Sequence, residues 1–201
     1  MTKLLIATNN PGKLREYQEI LADLPFTLTW PKAEGLTLEP EETGQTFREN
    51  AIIKATAFAR ASGLLTLADD SGLEIDALGG EPGVYSARYG HTAKADHVSR
   101  YRLVLEKLTG ILHEQRTARF RCVVAVAKAE QLIGTAEGAI EGVITDEPRG
   151  HNGFGYDPIF FVPEFNCTMA EMTSTQKHSI SHRARAVRAA WPLLEQTYRQ
   201  T

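Results

Sequence analysis

A lysine-bearing turn near the start of the chain has residue types that could bind phosphate. The turn, TNNPGKLRE at 8–16, follows a short apolar run. Asn10 suits a helix cap, and Pro11 suits the first helical position, where a missing amide donor is not needed. Gly12 permits close approach, and unpaired amides at the helix start together with the charge of Lys13 would bind an anion. The alternative is that Asn, Pro and Gly only form a turn. No Walker loop is present.

Two adjacent aspartates are the second candidate, in ADDSGL at 68–73, directly after an apolar run. Adjacent side chains of a continuing strand point to opposite sides, so we expect Asp69 and Asp70 to have different roles. The alternative is a plain turn, of which Asp-Asp-Ser-Gly is typical. Glu41 and Glu42 supply further carboxylates, and carboxylates without His or Cys favour Mg²⁺ or Mn²⁺ over zinc. Metal together with phosphate indicates phosphoryl chemistry.

Three further segments could complete a nucleotide site. Lys54 lies in a predicted helix, where it would reach either a phosphate or only solvent. The stretch GHNGFGYDP at 150–158 offers rings on which a base can stack and, in Asp157, an acceptor for base or ribose. Its alternative is a glycine-rich hairpin with buried aromatics. KHSISHR at 177–183 offers donors to a carbonyl oxygen, or alternatively a capped helix start.

The hydrophobic pattern predicts the elements that must position these residues. The first part of the chain is predicted to contain a strand at 3–7, a helix with Leu14, Tyr17, Leu21 and Leu24 on one stripe, a surface loop at 31–45 and a helix capped by Thr46 and Glu49. Strand pieces on either side of 69–72 and a helix around Val98 to Leu108 follow. The last part is predicted to contain long strands at 119–128 and 132–144, a short strand at 159–162 and a helix at 182–198. Helices and strands alternate early and strands cluster later. This order predicts an α/β fold with a mixed sheet, flanking helices and two lobes around a central nucleotide-binding cleft.

Composition limits the class of protein. The 201 residues are 42% hydrophobic and 23% charged, which predicts one globular domain over 1–201. A net charge of -3 argues against nucleic acid or an anionic membrane as partner. The apolar start is too short for a signal peptide or a membrane span, so we expect a cytoplasmic protein. Cys122 and Cys167 form no zinc or disulfide pattern.

Together the segments resemble the inosine/xanthosine triphosphate pyrophosphatase family, enzymes that hydrolyse non-standard purine nucleoside triphosphates. The shared motifs run in order through most of the chain: TNNPGKLRE at 8, EETGQTFRENAIIKA at 41, ADDSGL at 68, PGVYSAR at 82, GFGYDPIFF at 153 and SHR at 181. The resemblance implies an elongated, homodimeric α/β fold, Mg²⁺ dependence, and cleavage to the monophosphate and pyrophosphate.

The resemblance also implies residue roles. Asp70 and Lys54 would be catalytic, Asp70 as the proton acceptor for water and Lys54 as a neutraliser of phosphate charge. Glu41 and Asp70 would hold the metal, with Glu42 and Asp69 as the nearest rivals. The residues implied in substrate binding are Thr8, Asn9, Asn10, Pro11, Gly12, Lys13, Ser71, Phe154, Gly155, Tyr156, Asp157, Lys177, His182 and Arg183.

The donors near the end of the chain predict which purine bases are accepted, and two positions beside them depart from the family pattern. Arg183 and His182 can donate to the 6-keto oxygen of hypoxanthine or xanthine, whereas the 6-amino group of adenine would leave them unmet. The chain has His178 where Asn is frequent in the family, and Ala184 where Gly is frequent. The alternatives in function are a purine-nucleotide-binding regulator without turnover and a pyrophosphatase of other modified nucleotides.

Overall fold

Seven strands form one mixed sheet with helices flanking it. The computed structural model describes residues 2–92 and 96–199. In chain order the elements are β1 (Thr2–Ile6), α1 (Pro11–Ile20), β2 (Phe26–Thr29), α2 (Phe47–Ser62), β3 (Leu65–Ile75), α3 (His97–Lys107), β4 (Thr117–Lys128), β5 (Gln131–Ile144), β6 (Phe160–Val162), β7 (Cys167–Thr168), α4 (Ser174–Ile180) and α5 (His182–Arg199).

The strand order is β2-β1-β3-β4-β5-β6-β7. β1 is parallel to both neighbours, with Leu4 opposite Leu28 on one side and Leu65 on the other. β6 is antiparallel to β5 and to β7. β4 and β5 are neighbours joined by only two residues, as expected of a β-hairpin. The predicted α/β fold with a mixed sheet and flanking helices is confirmed, whereas the predicted cleft and the single domain over 1–201 stay predictions.

The chain divides into two compact units, each with its own core. The first unit comprises Met1–Asp70, Cys122–Gly138 and Arg183–Thr201, and the second comprises Ser71–Arg121 and Ala139–His182. The core of the first unit includes Leu4, Ile6, Tyr17, Leu67, Val124, Val126, Ala190 and Leu194. The core of the second includes Leu73, Ile75, Val104, Ile144, Tyr156, Phe160, Met169 and Ile180. Burial of these apolar side chains drives the folding of each unit.

Local sequence signals fix the ends of the two helices that lead into the site. The side-chain oxygen of Asn10 caps α1, and Pro11 occupies its first turn. A reciprocal capping box between Thr46 and Glu49 begins α2, as the sequence predicts, and Gly63 ends it with a φ of 68°. None of the described helices combines the length and the apolar character needed to cross a bilayer.

The aspartate motif and three short elements differ from the expectation. β3 runs without interruption from Leu65 to Ile75, so residues 69–72 lie within one strand and the turn alternative is wrong. β2, with four residues, and β7, with two, are too short for an alternation pattern to predict. α4 begins with a capping box between Thr173 and Gln176, a signal that the sequence contained.

Candidate active site

A cluster of carboxylates and lysines forms in the first unit where α1, α2 and β3 meet. We call Lys13, Glu42, Lys54, Asp69 and Asp70 the carboxylate-lysine cluster. Lys54 Nζ donates to Asp70 Oδ1 at 3.1 Å and to Glu42 Oε1 at 2.9 Å. Lys13 Nζ donates to Asp69 Oδ2 at 2.9 Å. Each of the two adjacent aspartates therefore holds its own lysine.

Among the described residues, the hydrogen-bond donors to the Asp70 side chain lie on α2. Besides Lys54, the amide Nδ2 of Asn50 donates to Asp70 Oδ2 at 3.2 Å, and Asn50 is buried. Asn50 and Lys54 are four residues apart, so they share one face of the helix. The side-chain oxygen of Asn50 accepts from the backbone of Gly44 at 2.8 Å, which ties the loop containing Glu42 to the same place.

Asp69 has a different set of partners. Its Oδ2 accepts from Lys13, from Arg183 Nη2 at 3.4 Å, and from the Sγ of Cys122 at 3.7 Å. Its side chain is 1% exposed, against 9% for Asp70. Adjacent residues of a continuing strand face opposite sides, and the two aspartates accordingly have different partners. The prediction that their roles differ stays a prediction.

Their pKa values are pushed in opposite directions. Burial raises the pKa of the Asp70 carboxyl, and Lys54 and Lys13 offset this only in part. Burial would also raise the pKa of Asp69, but Lys13, Arg183 and Lys54 outweigh it and hold that pKa well below its usual range. For Lys54, burial lowers the pKa and its three acidic neighbours outweigh this, so the ammonium stays charged. Adjacent carboxyls with opposed shifts suit the roles of base and fixed anion.

The start of α1 differs from the expectation of unpaired amides. The backbone amides of Gly12 and Lys13 both donate to Asn10 Oδ1, at 2.8 and 3.1 Å, and the amide of Asn10 donates to Thr8 Oγ1 at 3.1 Å. That expectation is wrong because Asn10 acts as a side-chain cap. The positive end of the helix dipole and the ammonium of Lys13 remain as attractions for an anion. Asn9 is exposed, and its role with Thr8 and Pro11 in phosphate binding stays a prediction.

Arg183 is buried inside the first unit. Its Nη1 donates to Glu16 and its Nη2 to Asp69, and its guanidinium lies 5.8 Å from the ring centre of Tyr17. The hydroxyl of Tyr17 has no hydrogen-bond partner among the described residues, and burial raises its pKa well above the usual value. The predicted contact between Arg183 and a purine base stays a prediction.

The donors of the carboxylate-lysine cluster fit a hard cation. Within the described residues, no group of three or more His, Cys, Asp or Glu side chains could hold a metal by itself. Proteins commonly bind Mg²⁺ through one or two carboxylates together with substrate phosphates, so fewer protein ligands suffice. Glu42 is already paired with Lys54, whereas Glu41 is exposed in the loop before α2. The metal roles of Glu41 and Asp70 stay predictions.

A second group of predicted residues meets in the second unit, and we call Phe154, Asp157 and Lys177 the Phe154 cluster. Asp157 Oδ2 accepts from Lys177 Nζ at 2.6 Å and from the backbone amide of Phe154 at 2.8 Å. Lys177 Nζ also lies 5.3 Å from the ring centre of Phe154. Asp157 and Lys177 are buried and Phe154 is half-buried. A buried ion pair therefore fixes the loop that carries one partly open ring.

Tyr156 and His182 have other surroundings in this unit. The ring of Tyr156 is part of the core, and its hydroxyl donates to the backbone oxygen of Ser86 at 2.9 Å. The side chain is buried, which agrees with the alternative of a glycine-rich hairpin with buried aromatics. His182 is buried and stacks on Phe120 at 4.8 Å and 16°. Ser71 is half-buried and directly follows Asp70 on β3, and Gly155 has a φ of 67°. The nucleotide contacts of these four residues stay predictions.

Four residues around the first cluster were missed as functional candidates: Glu16, Tyr17, Asn50 and Cys122. Tyr17 reads as one member of the helical stripe, and Cys122 as an ordinary buried thiol. Glu16 lies in the TNNPGKLRE motif, and a buried glutamate there requires a cationic partner, which the sequence cannot identify at a separation of 167 positions. Asn50 could have been found from its spacing, because a residue four positions before Lys54 lies on the same face of the helix.

Comparisons with known proteins match nearly the full length of the chain. The family model of the Ham1 family matches residues 4–193. The "dITP/XTP pyrophosphatase" of Bacillus subtilis (strain 168) is 52% identical over 195 residues, which are 97% of this chain and 98% of that protein. That of a Thermus thermophilus strain is 50% identical over 187 residues, which are 93% of this chain and 89% of that protein.

Two solved structures agree with the sequence comparison. The structure of a HAM1 protein from Coxiella burnetii matches with a TM-score of 0.85 at 43% identity, over 98% of this chain and 100% of that chain. The Staphylococcus aureus Ham1 protein matches with a TM-score of 0.83 at 40% identity, over 98% of this chain and 100% of that chain. Because the family model matches nearly the full length and both kinds of relative cover nearly all of the chain, this protein belongs to the Ham1 family.

Proposed function

We propose that this protein hydrolyses non-standard purine nucleoside triphosphates, namely ITP, dITP and XTP, to the monophosphate and pyrophosphate, and so cleanses the nucleotide pool. The observation that carries the proposal is the pair of adjacent aspartates, one held ionised beside Lys13 and the other with a raised pKa beside Lys54. The substrate class is supported by relatives named dITP/XTP pyrophosphatase.

The triphosphate is bound by the lysines of the carboxylate-lysine cluster. Lys13 and Lys54 bring two ammonium groups to one place, and the dipole of α1 adds partial positive charge. Each ammonium is held by a carboxylate, so its position is fixed before the phosphates arrive. Prepositioned charge of this kind stabilises a transition state better than mobile charge does.

Asp70 accepts a proton from the attacking water. An ordinary aspartate with a pKa near 3.9 is a weak base at neutral pH. Burial raises the pKa of Asp70, so it is a stronger base than its neighbour Asp69. Asn50 and Lys54 both donate to this carboxylate and hold it in one orientation. The water attacks the α-phosphorus in line with the departing pyrophosphate.

Glu41 and Asp70 are the residues that would hold a divalent cation, Mg²⁺ or Mn²⁺. When bound, the cation would supply neutralisation of phosphate charge and acidification of a coordinated water. Glu42 instead orients Lys54, with which it forms an ion pair. The neutral or anionic oxygen donors of the cluster are those that these cations prefer.

The base is recognised at the Phe154 cluster, where the half-buried ring of Phe154 provides a stacking surface. His182 and Arg183 are the donors proposed for the 6-keto oxygen. The 6-amino group of adenine cannot accept from these donors. A buried donor left without an acceptor costs about 1 to 3 kcal/mol of binding free energy, and more when the donor is charged, so ATP is disfavoured. The protein acts in the cytoplasm as a homodimer on small molecules, without nucleic acid or membrane partners.

A product-resolved assay tests this proposal. Purified protein with Mg²⁺ is given ITP, XTP, GTP, ATP or UTP, and the products are separated by ion-exchange chromatography. We expect IMP and XMP with pyrophosphate, and much slower turnover of ATP and UTP. IDP and phosphate as products would refute the cleavage position. Tight binding of ITP without turnover would instead indicate a regulator, and preference for a modified pyrimidine would indicate a related pyrophosphatase.

A further inference from the structure

A histidine at the start of α3 contacts the Phe154 cluster from outside the recognised motifs. The ring centre of His97 lies 6.4 Å from that of Phe154, with the planes at 57°. This is within the separation at which aromatic rings attract each other. His97 is half-buried, as is Phe154. All residues concerned belong to the second unit.

The orientation of the His97 ring is fixed by Arg100. Arg100 Nη2 lies 2.6 Å from His97 Nδ1, and because a guanidinium can only donate, Nδ1 must accept. The neutral ring therefore carries its proton on Nε2. Arg100 is itself 3% exposed, and its Nη1 donates to the backbone oxygen of Ala87 at 3.0 Å. The donor that holds the ring is thus anchored in the fold.

The helix does not need this histidine. Asp96 caps α3 through Ser99, so the first turn is already stabilised. A protonated imidazole would be unfavourable at the positive end of a helix. Since α3 does not require His97, the contact between the His97 ring and the partly open ring of Phe154 is the feature that most directly explains a histidine held here by a buried arginine.

We propose that His97 is a positioning residue for nucleobase recognition, whose ring, held by Arg100, braces Phe154 so that Phe154 presents a fixed surface to a purine base. The inference rests on the proposed function, since Phe154 is the stacking surface only if the protein binds a nucleotide there. The ligand class is a purine nucleotide, recognised through its base and not through its phosphates.

The charged groups around His97 keep it neutral. Burial lowers the pKa of His97, and Arg100 lowers it further, while Asp157 and Asp96 oppose the shift. Lys177, which donates to Asp157, also contacts the ring of Phe154. Because the pKa of His97 is lowered, the ring is protonated only at pH values below the usual 6.5, where a proton on Nδ1 would face the donor of Arg100 and release the ring.

Calorimetric binding of IMP and of inorganic tripolyphosphate separates base recognition from general damage. For His97→Ala and His97→Asn, which lack the ring, we expect IMP to bind about five- to tenfold more weakly, the effect of one aromatic contact. His97→Phe keeps a ring beside Phe154 but cannot accept from Arg100, so we expect its IMP affinity to lie between that of His97→Ala and that of the unchanged protein. Tripolyphosphate should bind all of them equally. Val98→Ala, at the exposed neighbouring position on α3, is the matched control.

Kinetics add a second readout. With ITP, the ring-deficient variants should raise KM and leave kcat within about twofold. The KM of the unchanged protein should rise more steeply below pH 6.5 than that of His97→Phe, which cannot titrate. Unchanged IMP affinity in His97→Asn, or equal losses for IMP and tripolyphosphate, would overturn the inference. If the unchanged protein binds IMP but makes no IMP from ITP, the proposed function fails, and the binding comparison still decides the role of His97.

Discussion

At the scale of residues, the strongest feature is that two neighbouring carboxyls have opposite environments. Asp69 is enclosed by Lys13 and Arg183, so its charge is stabilised. Asp70 is nearly as buried, and the ammonium of Lys54 with which it pairs is shared with Glu42. The sequence predicts that their roles differ, because adjacent strand residues face opposite sides. It could not predict which of the two would be the better base, since that depends on partners distant in the chain.

Replacement of Asp70 by asparagine tests its role as base. For Asp70→Asn we expect kcat for ITP to fall about 10²- to 10⁴-fold, because a general base contributes about that factor. Binding of tripolyphosphate should be retained, since Lys13 and Lys54 remain. Rapid-quench kinetics and calorimetry measure the two quantities. A kcat within about tenfold of the unchanged protein would contradict the assignment.

The same replacement should stabilise the fold at neutral pH. The folded state raises the pKa of Asp70, so ionisation of this carboxyl above its unfolded pKa, about 3.9, destabilises the folded protein. Asn removes that cost, and a stabilising substitution of this kind commonly raises the free energy of unfolding by about 0.5 to 2 kcal/mol. Urea unfolding should show the gain at pH 7 and its loss toward pH 3. A variant less stable than the unchanged protein at pH 7 would exclude this explanation.

Asp69 should behave in the opposite way. Its pKa is lowered in the folded state, so its contribution to stability is present above the unfolded pKa, about 3.9, and is lost as the pH falls below it. Asp69→Asn leaves the buried Arg183 and the half-buried Lys13 facing a neutral amide, and we expect the free energy of unfolding at pH 7 to fall by about 3 to 5 kcal/mol. The difference should shrink toward pH 2.

Glu130→Gln is the control for that measurement. Glu130 pairs with Arg60 where both side chains are more than 70% exposed. Such a surface pair contributes about 1 kcal/mol or less. Equal losses for Asp69→Asn and Glu130→Gln would mean that the buried pair of Asp69 has no special importance.

At the scale of elements, the site depends on how three elements begin or continue. Strong local signals made α1 and α2 predictable: Asn10 with Pro11, and the Thr46 capping box. The amides expected to be free at the start of α1 are not free, because the Asn10 cap accepts from the amides of Gly12 and Lys13. The continuity of β3 could not be predicted, since Ser and Gly within it favour turns and only pairing in the sheet overrides that preference.

The loop before β6 gives a prediction at this scale. Gly153 has a φ of 74°, and a Cβ there would lie 2.1 Å from Asp157 Oδ2. Gly153→Ala should therefore displace the Asp157 and Lys177 pair and raise KM for ITP at least about fivefold, comparable to the loss of an aromatic contact. Gly79→Ala is the matched control, because Gly79 has a φ of 64° and nothing within 4 Å.

Steady-state kinetics and thermal unfolding measure both glycine variants. Each should lose about 1 kcal/mol or more of stability from backbone strain alone. Only Gly153→Ala should change KM. An equal change of KM in both variants would show that strain, and not the contact with Asp157, is responsible.

At the scale of the whole molecule, the chain folds into two compact units, each with its own core and its own group of predicted site residues. The carboxylate-lysine cluster lies in the first and the Phe154 cluster in the second. The alternation of helices and strands predicts the fold class, but not this division of the sites. We expect sedimentation equilibrium to give twice the mass of one chain. A single-chain mass at micromolar concentration would contradict the proposed homodimer.

In the proposed reaction, water attacks the α-phosphorus of a non-standard purine triphosphate beside Asp70. It is tested most directly by hydrolysis of ITP with Mg²⁺ in water labelled with oxygen-18, followed by mass spectrometry of the products. We expect one labelled oxygen in IMP and none in pyrophosphate. Label in pyrophosphate, or IDP with labelled phosphate, would contradict it.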